Sequence, residues 1–441
     1  MSFDALIVSN GPGELSSWVK PLVKKINETL PEARIIICLV PCTYSSGEEE
    51  NVAIEFPGVS YVLGPRETSL YFISKKLPEG FAFQEKGIVV HLGGDQFFSL
   101  LMGNKTKFPR VVYTENHIFW TKSVKRFLLP DQNIYAAARL RSIPANKLSV
   151  VGNLMVDAVT LNEVPQNIRE KLGLSTDKSV VTLMPGSKPF KVKYATPYML
   201  KIADYIAKKK PDTQFLLSQS PYTPLNQIVG SVTIDKYIQA LDGVGARFGK
   251  TEDGNVLVTE KGTVINIIPP ELQYEAYQVS DVAITLPGTN TAELAILGIP
   301  MIVVFPMNKL DEIPVEGLVG ALSDIPLFGK YIKRAVIKQA VKKMKFVALP
   351  NQKMGLEVTP ELVGNILPLE AAEKALKILN SPYERREISL NLKKTMGATG
   401  AAKNVVANMV DVLLKHYEDM EILENINNYS DWTKRESDSD S

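Results

Sequence analysis

Residues 282–305 read VAITLPGTNTAELAILGIPMIVVF, and this stretch decides the fold class. Two short apolar runs, at 282–286 and 300–305, flank a glycine turn and a helix-forming segment at 289–297. Each run is almost continuously apolar, as expected for a strand of a parallel sheet that is covered on both faces. A strand, a tight turn, a helix and a second strand make a βαβ unit. The stretch therefore predicts a doubly wound α/β domain.

The same alternation of apolar runs and helical segments occurs twice along the chain. In the first part, the predicted strands are residues 5–9, 34–40, 87–92, 110–114 and 148–152. In the second part, they are residues 180–187, 214–220, 263–269, 282–286, 300–305 and 345–350. The helices predicted between them include residues 16–30, 96–102, 198–210 and 289–297. An Asp-Gly pair at 253–254 predicts a hairpin turn.

The chain has 441 residues, which exceeds the size at which a single hydrophobic core stops growing. We predict an N-terminal Rossmann-like domain over 1–160 and a second over 161–380, joined by a linker at 152–163. The second domain is expected to carry insertions at about 221–262 and 306–345. Helices in 381–426 are expected to pack back toward the N-terminal domain, and the polar, acidic tail 427–441 is expected to be disordered.

Composition and charge disfavour several classes of function. Lys plus Arg number 50 and Asp plus Glu 48, so the net charge of +2 provides no general attraction to nucleic acid. Cys38 and Cys42 form a CxxxC pair without a second pair to complete a zinc site, which predicts two buried, reduced thiols. There is no secretory signal and no apolar run of about 18 residues that would span a membrane, so a cytoplasmic location is expected.

Three glycine-bearing loops follow predicted strands, at the strand ends where open α/β sheets bind ligands. The first, SNGPGELSSW at 9–18, contains Gly11, Gly13 and Ser16. It lacks the GxGxxG spacing of a dinucleotide-binding loop, which disfavours a dehydrogenase. This loop is either a structural turn or a site that faces an acceptor.

The second loop, LMPGSKPF at 183–190, opens the second domain. Gly186 and Ser187 allow the backbone to approach a phosphate closely, and Lys188 adds a positive charge. These three residues are candidates for binding a nucleotide diphosphate.

The third loop, LPGTNTAELAILGIP at 286–300, leads from a strand into a helix. Gly288 and Thr289 begin a helix whose first-turn N–H groups can bind an anion. Glu293 follows one turn in, where a carboxylate can accept hydrogen bonds from ribose hydroxyls. Taken alone, the segment is also an ordinary helix start. Together with the second loop it predicts a nucleotide diphosphate site.

These loops resemble the donor domain of the lipid-A-disaccharide synthase family of GT-B glycosyltransferases. The resemblance rests on LMPGSK (183–188) and LPGTNTAELAILGIPMIVVF (286–305). Three further segments agree in order and spacing, namely YTENHIFW (113–120), GNLMVDAV (152–159) and LPNQKMGLEVTPELV (349–363). The similarity extends over roughly residues 5–415 and is most specific in the second domain.

The resemblance implies an inverting glycosyltransferase with two Rossmann-like domains that face each other across a cleft holding the active site. It implies a UDP-hexose donor, above all UDP-N-acetylglucosamine, with no metal and no cofactor beyond this co-substrate. The acceptor is expected to be a lipid or a lipid-linked molecule. The donor-binding residues it implies are Gly186, Ser187, Thr289 and Asn290 at the pyrophosphate, Glu293 at the ribose, and Asn351 and Glu357 beside the sugar or nucleotide.

An inverting transfer needs a general base that deprotonates the acceptor hydroxyl. Asp95, in HLGGDQFF, matches the aspartate of the family's Gly-x-Asp-x-x-x-Phe segment and is the first candidate. His117 is the second candidate and Glu14 the third. His91 lies within a strand run and is expected to be a packed core residue.

The acceptor side departs from the family pattern. The family's Gly-Glu-x-Ser-Gly-Asp loop reads Gly13-Glu14-Leu15-Ser16-Ser17-Trp18 here, so both a glycine and an aspartate are replaced. On the donor side, Lys188 stands where the family typically has Arg. We therefore expect an acceptor other than the acylated glucosamine phosphate of lipid A.

Two other functions fit the same fold. A UDP-N-acetylglucosamine 2-epimerase shares the architecture and a similar donor loop, but it would need no membrane-binding element. A non-catalytic protein would bind the nucleotide sugar without turning it over.

A basic stretch occupies 330–345, within the insertion at 306–345. Apolar residues are interleaved with its positive charges at near-helical spacing, and it contains no acidic residue. This pattern is typical of an amphipathic helix on a membrane surface, although a solvated helix face has a similar composition. The residues predicted to contact an anionic membrane are Lys330, Lys333, Arg334, Lys338, Lys342 and Lys343.

We predict reversible docking at the inner face of the cytoplasmic membrane, because each basic residue near an anionic leaflet contributes on the order of 1 kcal/mol. Co-sedimentation with anionic liposomes measures this membrane binding. A variant with these six charges reversed should lose binding, and equal binding by the native chain and the variant would refute the prediction.

Overall fold

The computed structural model describes residues 2–115, 118–159, 165–307 and 344–417. The chain divides into two compact units, the first made of Met1–Ala158 with Ala398–Ser441 and the second of Val159–Gly397. His117, the six basic residues predicted to touch a membrane and the predicted disordered tail lie outside the described residues.

The first unit is built on a seven-stranded parallel sheet in the order β3-β2-β1-β4-β5-β6-β7. The central strands β1 and β4 are buried along their whole length, as their continuous apolar runs predict. The strands are β1 (Phe3–Ser9), β2 (Ala33–Leu39), β3 (Val59–Leu63), β4 (Gly87–His91), β5 (Arg110–Tyr113), β6 (Arg126–Leu129) and β7 (Leu148–Val150).

After β1 and the short turn at Asn10 and Gly11, a continuous helical segment runs from Pro12 to Thr29 and includes a π-helical turn at Leu15–Val19. The helices of the first unit are α1 (Pro12–Glu14), α2 (Lys20–Thr29), α3 (Glu49–Ile54), α4 (Pro65–Ser74), α5 (Gln96–Thr106), α6 (Gln132–Leu140), α7 (Leu154–Ala158) and the C-terminal α17 (Ala401–His416). The Asp157 carboxylate fixes the start of α17, because it accepts hydrogen bonds from the Gly400 and Ala402 N–H groups at 2.7 and 2.6 Å.

The second unit has an eight-stranded sheet in the order β10-β11-β12-β9-β8-β13-β14-β15. The pairs β10–β11 and β11–β12 are antiparallel and the other pairs are parallel. The strands are β8 (Val180–Met184), β9 (Gln214–Ser218), β10 (Ala246–Thr251), β11 (Gly254–Thr259), β12 (Val264–Ile268), β13 (Val282–Thr285), β14 (Met301–Pro306) and β15 (Glu361–Gly364).

Helices connect these strands. They are α8 (Pro165–Lys171), α9 (Pro189–Lys209), α10 (Leu225–Thr233), α11 (Asp235–Ala240), α12 (Gln273–Gln278), α13 (Thr289–Leu297), α14 (Leu349–Met354), α15 (Pro368–Leu379) and α16 (Pro382–Leu392). The stretch 282–305 is thus a βαβ unit, and α13 has the predicted bounds.

The structure corrects several predicted elements. Residues 345–350 are not a strand: α14 begins at Leu349 with Pro350 in its first turn, and the sheet ends instead with β15. Proline favours a helix start, whereas a short apolar run alone fits either element. Helix α9 begins at Pro189, nine residues before the predicted start, and continues through Pro197.

The hairpin exists, but its turn is Glu252-Asp253, since Thr251 pairs with Gly254. The segment predicted as an insertion at 221–262 supplies β10 and β11 to the sheet. Helix α16 belongs to the second unit, where Arg385 Nε lies 3.6 Å from Asp281 Oδ1. Of the helices described between residues 381 and 417, α17 alone joins the first unit.

Cys38 is buried in β2, where burial raises its thiol pKa, but Cys42 is only partly buried. Both are free thiols, so the prediction of two buried thiols is right for Cys38 alone. Within the described ranges, no helix is long and apolar enough to cross a membrane.

Candidate functional site

Two glycine loops lie side by side at one edge of the second unit's sheet. Strands β8 and β13 are parallel neighbours, and their last residues, Met184 and Thr285, are paired. The β8–α9 and β13–α13 loops therefore leave the sheet at adjacent positions. This is the carboxyl edge, where open α/β sheets bind ligands.

Both loops need glycine at one position. Gly186 has φ +93° and Gly288 has φ +152°, values that residues with a Cβ rarely adopt. Helices α9 and α13 start directly after them, with Lys188 and Gly288 as N-terminal caps. The N-termini of both helices, which carry partial positive charge, therefore lie at this edge. Neither helix has a side-chain cap on its first-turn N–H groups. Such an arrangement suits an anion.

Lys191, in the first turn of α9, links the two loops. It is not among the site residues predicted from the sequence. Its ammonium donates a 2.6 Å hydrogen bond to the Pro287 carbonyl of the second loop. Burial, and secondarily the charge of Lys188, lower the Lys191 pKa to about 7. In the sequence, this role is indicated only by the position of Lys191, three residues after the predicted Lys188.

Glu293 lies one turn into α13 and is buried, with 7% of its surface exposed. Its charge acts on Tyr274 and Tyr277, whose pKa values are raised well above normal, first by burial and then by this carboxylate. Tyr277 also shares a 2.5 Å hydrogen bond with Ser218, the last residue of β9. The carboxylate thus lies among tyrosines at the same edge of the sheet.

The remaining predicted residues of these loops are partly buried at this edge. The Ser187 carbonyl accepts a 3.5 Å hydrogen bond from the Thr223 hydroxyl, and Asn290 Nδ2 lies 3.5 Å from Thr285 Oγ1. Lys188 and Thr289 are also partly exposed. The structure therefore brings together the loop residues that the sequence singles out.

The Asn351 amide, predicted to lie beside the sugar or nucleotide, is held inside the protein by its own hydrogen bonds. It is fully buried, and its Oδ1 accepts hydrogen bonds from the Val358 and Thr359 N–H groups at 2.8 and 3.0 Å. Its Nδ2 donates to the Thr359 carbonyl and to Glu361 Oε1, both at 2.8 Å. All hydrogen-bonding capacity of the amide is used inside the protein, so Asn351 supports the turn into β15. Glu357 is exposed.

The first unit has a comparable edge. Strands β1 and β4 are parallel neighbours, with Val8 opposite His91, and each ends in a glycine loop. Glu14 fills the space between these loops: a Cβ at Gly11 would lie 2.9 Å from Glu14 Oε2, and one at Gly93 would lie 2.8 Å from Glu14 Cγ. Glu14 therefore lies against both loops.

Asn10, which the sequence analysis did not identify, also lies at this edge. A Cβ at Gly93 would lie 3.2 Å from its Oδ1, and this oxygen is buried without a hydrogen-bond donor. Gly13 and Ser16 lie in the partly buried helical segment behind the loop. The π-helical turn that contains Ser16 is a conformation frequent at functional sites.

Asp95 is exposed and caps α5, with its Oδ1 accepting a 2.8 Å hydrogen bond from the Phe97 N–H. The cap fixes the carboxylate at the end of β4. His91 is buried, and its Nδ1 lies 2.6 Å from Ser99 Oγ. Burial lowers the His91 pKa to about 4, against smaller opposing effects of Asp95 and the Gly94 backbone. The core position expected for His91 agrees with this environment.

Large aromatic side chains are exposed next to Asp95. Phe97, Phe119 and Trp120 have 43%, 51% and 47% of their surfaces exposed, and the Phe97 and Trp120 rings are 6.2 Å apart. An exposed apolar cluster of this kind usually marks a binding surface. Among the residues that the structure describes, no group of three His, Cys, Asp or Glu side chains is placed to hold a metal ion.

The chain is similar in sequence to lipid-A-disaccharide synthases. The family model described as lipid-A-disaccharide synthetase matches residues 141–241. The lipid-A-disaccharide synthase of Persephonella marina is 25% identical over 266 residues, which are 58% of this chain and 57% of that protein. The enzyme of Myxococcus xanthus is 24% identical over 375 residues, 81% of this chain and 83% of that protein. The match to the first relative thus spans less than two thirds of its length.

A solved structure shows the same fold. The UDP-N-acetylglucosamine 2-epimerase of Neisseria meningitidis, bound to UDP-N-acetylglucosamine, superposes with a TM-score of 0.56 at 13% identity. The match covers 93% of this chain and 100% of that one. The chain therefore has two Rossmann-like domains of the GT-B type.

We predict that Asn351→Ala lowers the free energy of unfolding by roughly 2 kcal/mol or more, because it leaves buried N–H and carbonyl groups unpaired. Urea unfolding measures the loss. Glu357→Ala, six residues away and exposed, is the control and should have almost no effect. An Asn351→Ala protein of native stability would contradict the supporting role.

Proposed function

We propose that this chain, a lipid-A-disaccharide synthase-like protein with a GT-B fold, transfers a hexosyl group from a UDP-sugar to a lipid or lipid-linked acceptor with inversion. The observation that carries the proposal is the edge formed by β8 and β13. There, two glycine loops and the N-termini of two helices adjoin a buried glutamate.

The β8–α9 and β13–α13 loops suit the pyrophosphate of the donor. Gly186 and Gly288 leave room for phosphate oxygens near the backbone, and the two helix N-termini provide partial positive charge. As the bond to the sugar breaks, negative charge develops on the leaving diphosphate, and fixed dipoles at this position stabilise it. This stabilisation requires neither a metal nor another cofactor.

Glu293 is the proposed ribose ligand. A carboxylate accepts hydrogen bonds from both ribose hydroxyls, and its position one turn into α13 places it beyond the diphosphate loop. We propose an N-acetylglucosamine-type sugar as the transferred group, since a solved structure with the same fold is bound to UDP-N-acetylglucosamine.

The first unit supplies the proposed base. In an inverting displacement, the acceptor hydroxyl attacks the anomeric carbon while a base removes its proton. Asp95 is exposed at the end of β4, and its cap bond to Phe97 uses only one carboxylate oxygen in the structure. Glu14 is the alternative in the neighbouring loop, whereas His117 stays a prediction.

A lipid-bearing acceptor suits the surface beside Asp95. Phe97, Phe119 and Trp120 expose apolar area that acyl or prenyl chains would cover. We propose that the protein acts at the inner face of the cytoplasmic membrane, where such acceptors are found, and that the basic stretch 330–345 holds it there.

We predict that UDP and UDP-N-acetylglucosamine bind the full-length protein and that Glu293→Ala weakens both by about tenfold or more, since it removes hydrogen bonds to a charged group. Titration calorimetry measures the affinities. Glu271→Ala, an exposed site in the same unit, is the control and should bind like the native protein. Absence of binding by the native protein would refute the donor assignment.

We also predict that Asp95→Asn lowers kcat for transfer by about 10²- to 10⁴-fold, the usual contribution of a general base. Asparagine still caps α5, so the unfolding temperature should stay close to native. Transfer is measured with labelled UDP-N-acetylglucosamine and a membrane lipid extract, with Glu14→Gln in parallel. Full activity of Asp95→Asn would exclude Asp95 as the base, and conversion of the donor without any acceptor would indicate an epimerase instead.

A further inference from the structure

Lys191 lies where the two donor loops meet. Its side chain extends from the first turn of α9 to the Pro287 carbonyl, which belongs to the other loop. Both glycines border it: a Cβ at Gly186 would lie 3.3 Å from Lys191 Cδ, and one at Gly288 would lie 3.4 Å from its Nζ. The Lys191 side chain thus passes beside Gly186, and its amine lies beside Gly288.

We propose that Lys191 is the cation that binds the donor diphosphate, and that it takes up a proton from solvent when the nucleotide sugar binds. This inference rests on the donor site proposed above. It assigns to Lys191 the charge that the sequence analysis expected from Lys188.

The position of the ammonium supports this assignment. A phosphate bound at the two helix N-termini would approach the backbone at Gly186 and Gly288, and Lys191 Nζ is adjacent to the second of these. A lysine ammonium has three N–H donors, and the structure uses one of them on Pro287. The other two are available for phosphate oxygens.

The surroundings of Lys191 increase the fraction of its neutral form before a ligand binds. Burial, and secondarily the charge of Lys188, lower its pKa to about 7. The residues of the second loop near Lys191, Leu286–Gly288, are uncharged. Glu293 lies farther along α13, where its charge acts on Tyr274 and Tyr277.

Among the residues that the structure describes, the other elements packed on α9 place no counter-ion at Lys191. Helix α10 has no charged residue. Helix α11 carries the charged residues Asp235 and Lys236, and it packs against α9 through its Tyr237. On α15, the charge of Glu370 acts on Tyr198, farther along α9. A bound diphosphate would therefore be the main anion near the amine, and an adjacent anion raises the pKa of an amine.

The affinity for the donor should fall as the pH rises above about 7. Below a pH of about 7 the free protein already carries the proton, and binding takes up little. Above it, binding must first protonate Lys191, so affinity falls by up to tenfold for each pH unit. UDP-N-acetylglucosamine is the suitable probe, because both phosphates are esterified and do not titrate in this range.

The test is calorimetric titration of the full-length protein with UDP-N-acetylglucosamine at about pH 6 and about pH 8.5, in buffers of different ionisation enthalpy. The native protein should take up close to one proton at the higher pH and bind more weakly there. Lys191→Met should lose more than about tenfold in affinity at the lower pH, equivalent to about 1.4 kcal/mol. It should also show no proton uptake.

Two further variants separate charge from structure. Lys193→Met changes an exposed lysine two residues along the same helix and should behave like the native protein. Lys191→Arg keeps a permanent charge and should bind with no proton uptake and little pH dependence. Thermal unfolding confirms that each variant is folded.

The outcomes distinguish the two proposals. If the native protein binds the donor and Lys191→Met binds equally well, or if the native protein takes up no proton, the role of Lys191 is refuted and the donor site stands. If the native protein does not bind UDP-N-acetylglucosamine at all, the proposed function itself is refuted.

Discussion

The parallel pairing of β8 with β13, in which Met184 lies opposite Thr285, determines where the groups of the second unit's site are found. Because neighbouring parallel strands end at one edge, the loops that follow them are adjacent even though about 100 residues separate them in sequence. Glycine at positions with positive φ then lets each loop turn sharply into a helix. The convergence of two helix N-termini is a consequence of this register.

The first unit follows the same plan with different side chains. The pairing of β1 with β4 brings two glycine loops together, but an acidic residue, Glu14, occupies the space between them. In the second unit the corresponding space is bordered by a lysine, Lys191. One edge therefore offers carboxylates that can accept a proton, and the other offers positive charge for an anion. The two units thus share an architecture but differ in charge at this edge. The carboxylates support the proposed base in the first unit, and the lysine supports the proposed diphosphate site in the second.

The elements that the sequence predicts well are those with long apolar runs or strong turn residues. Residues 282–305 form the expected βαβ unit, and α13 has the predicted bounds. The prediction was wrong at 345–350, where six residues were too few to distinguish a strand from a buried turn and a helix start. It missed β3 and β6, and β3 is a half-buried edge strand whose pattern is weak. Helix α9 was predicted too short: it continues through Pro197, a residue that usually interrupts a helix, and begins at Pro189.

The sequence by itself determined the fold class, the order of the loops and the glycines, because periodicity and turn chemistry are local properties. Only the tertiary structure decided which side chains these loops share. It placed Lys191 between the loops and showed that the Asn351 amide is hydrogen-bonded within its own turn. Each of these depends on distances between residues far apart in the chain or on competition for hydrogen bonds, and neither is encoded in the spacing of residues along a sequence.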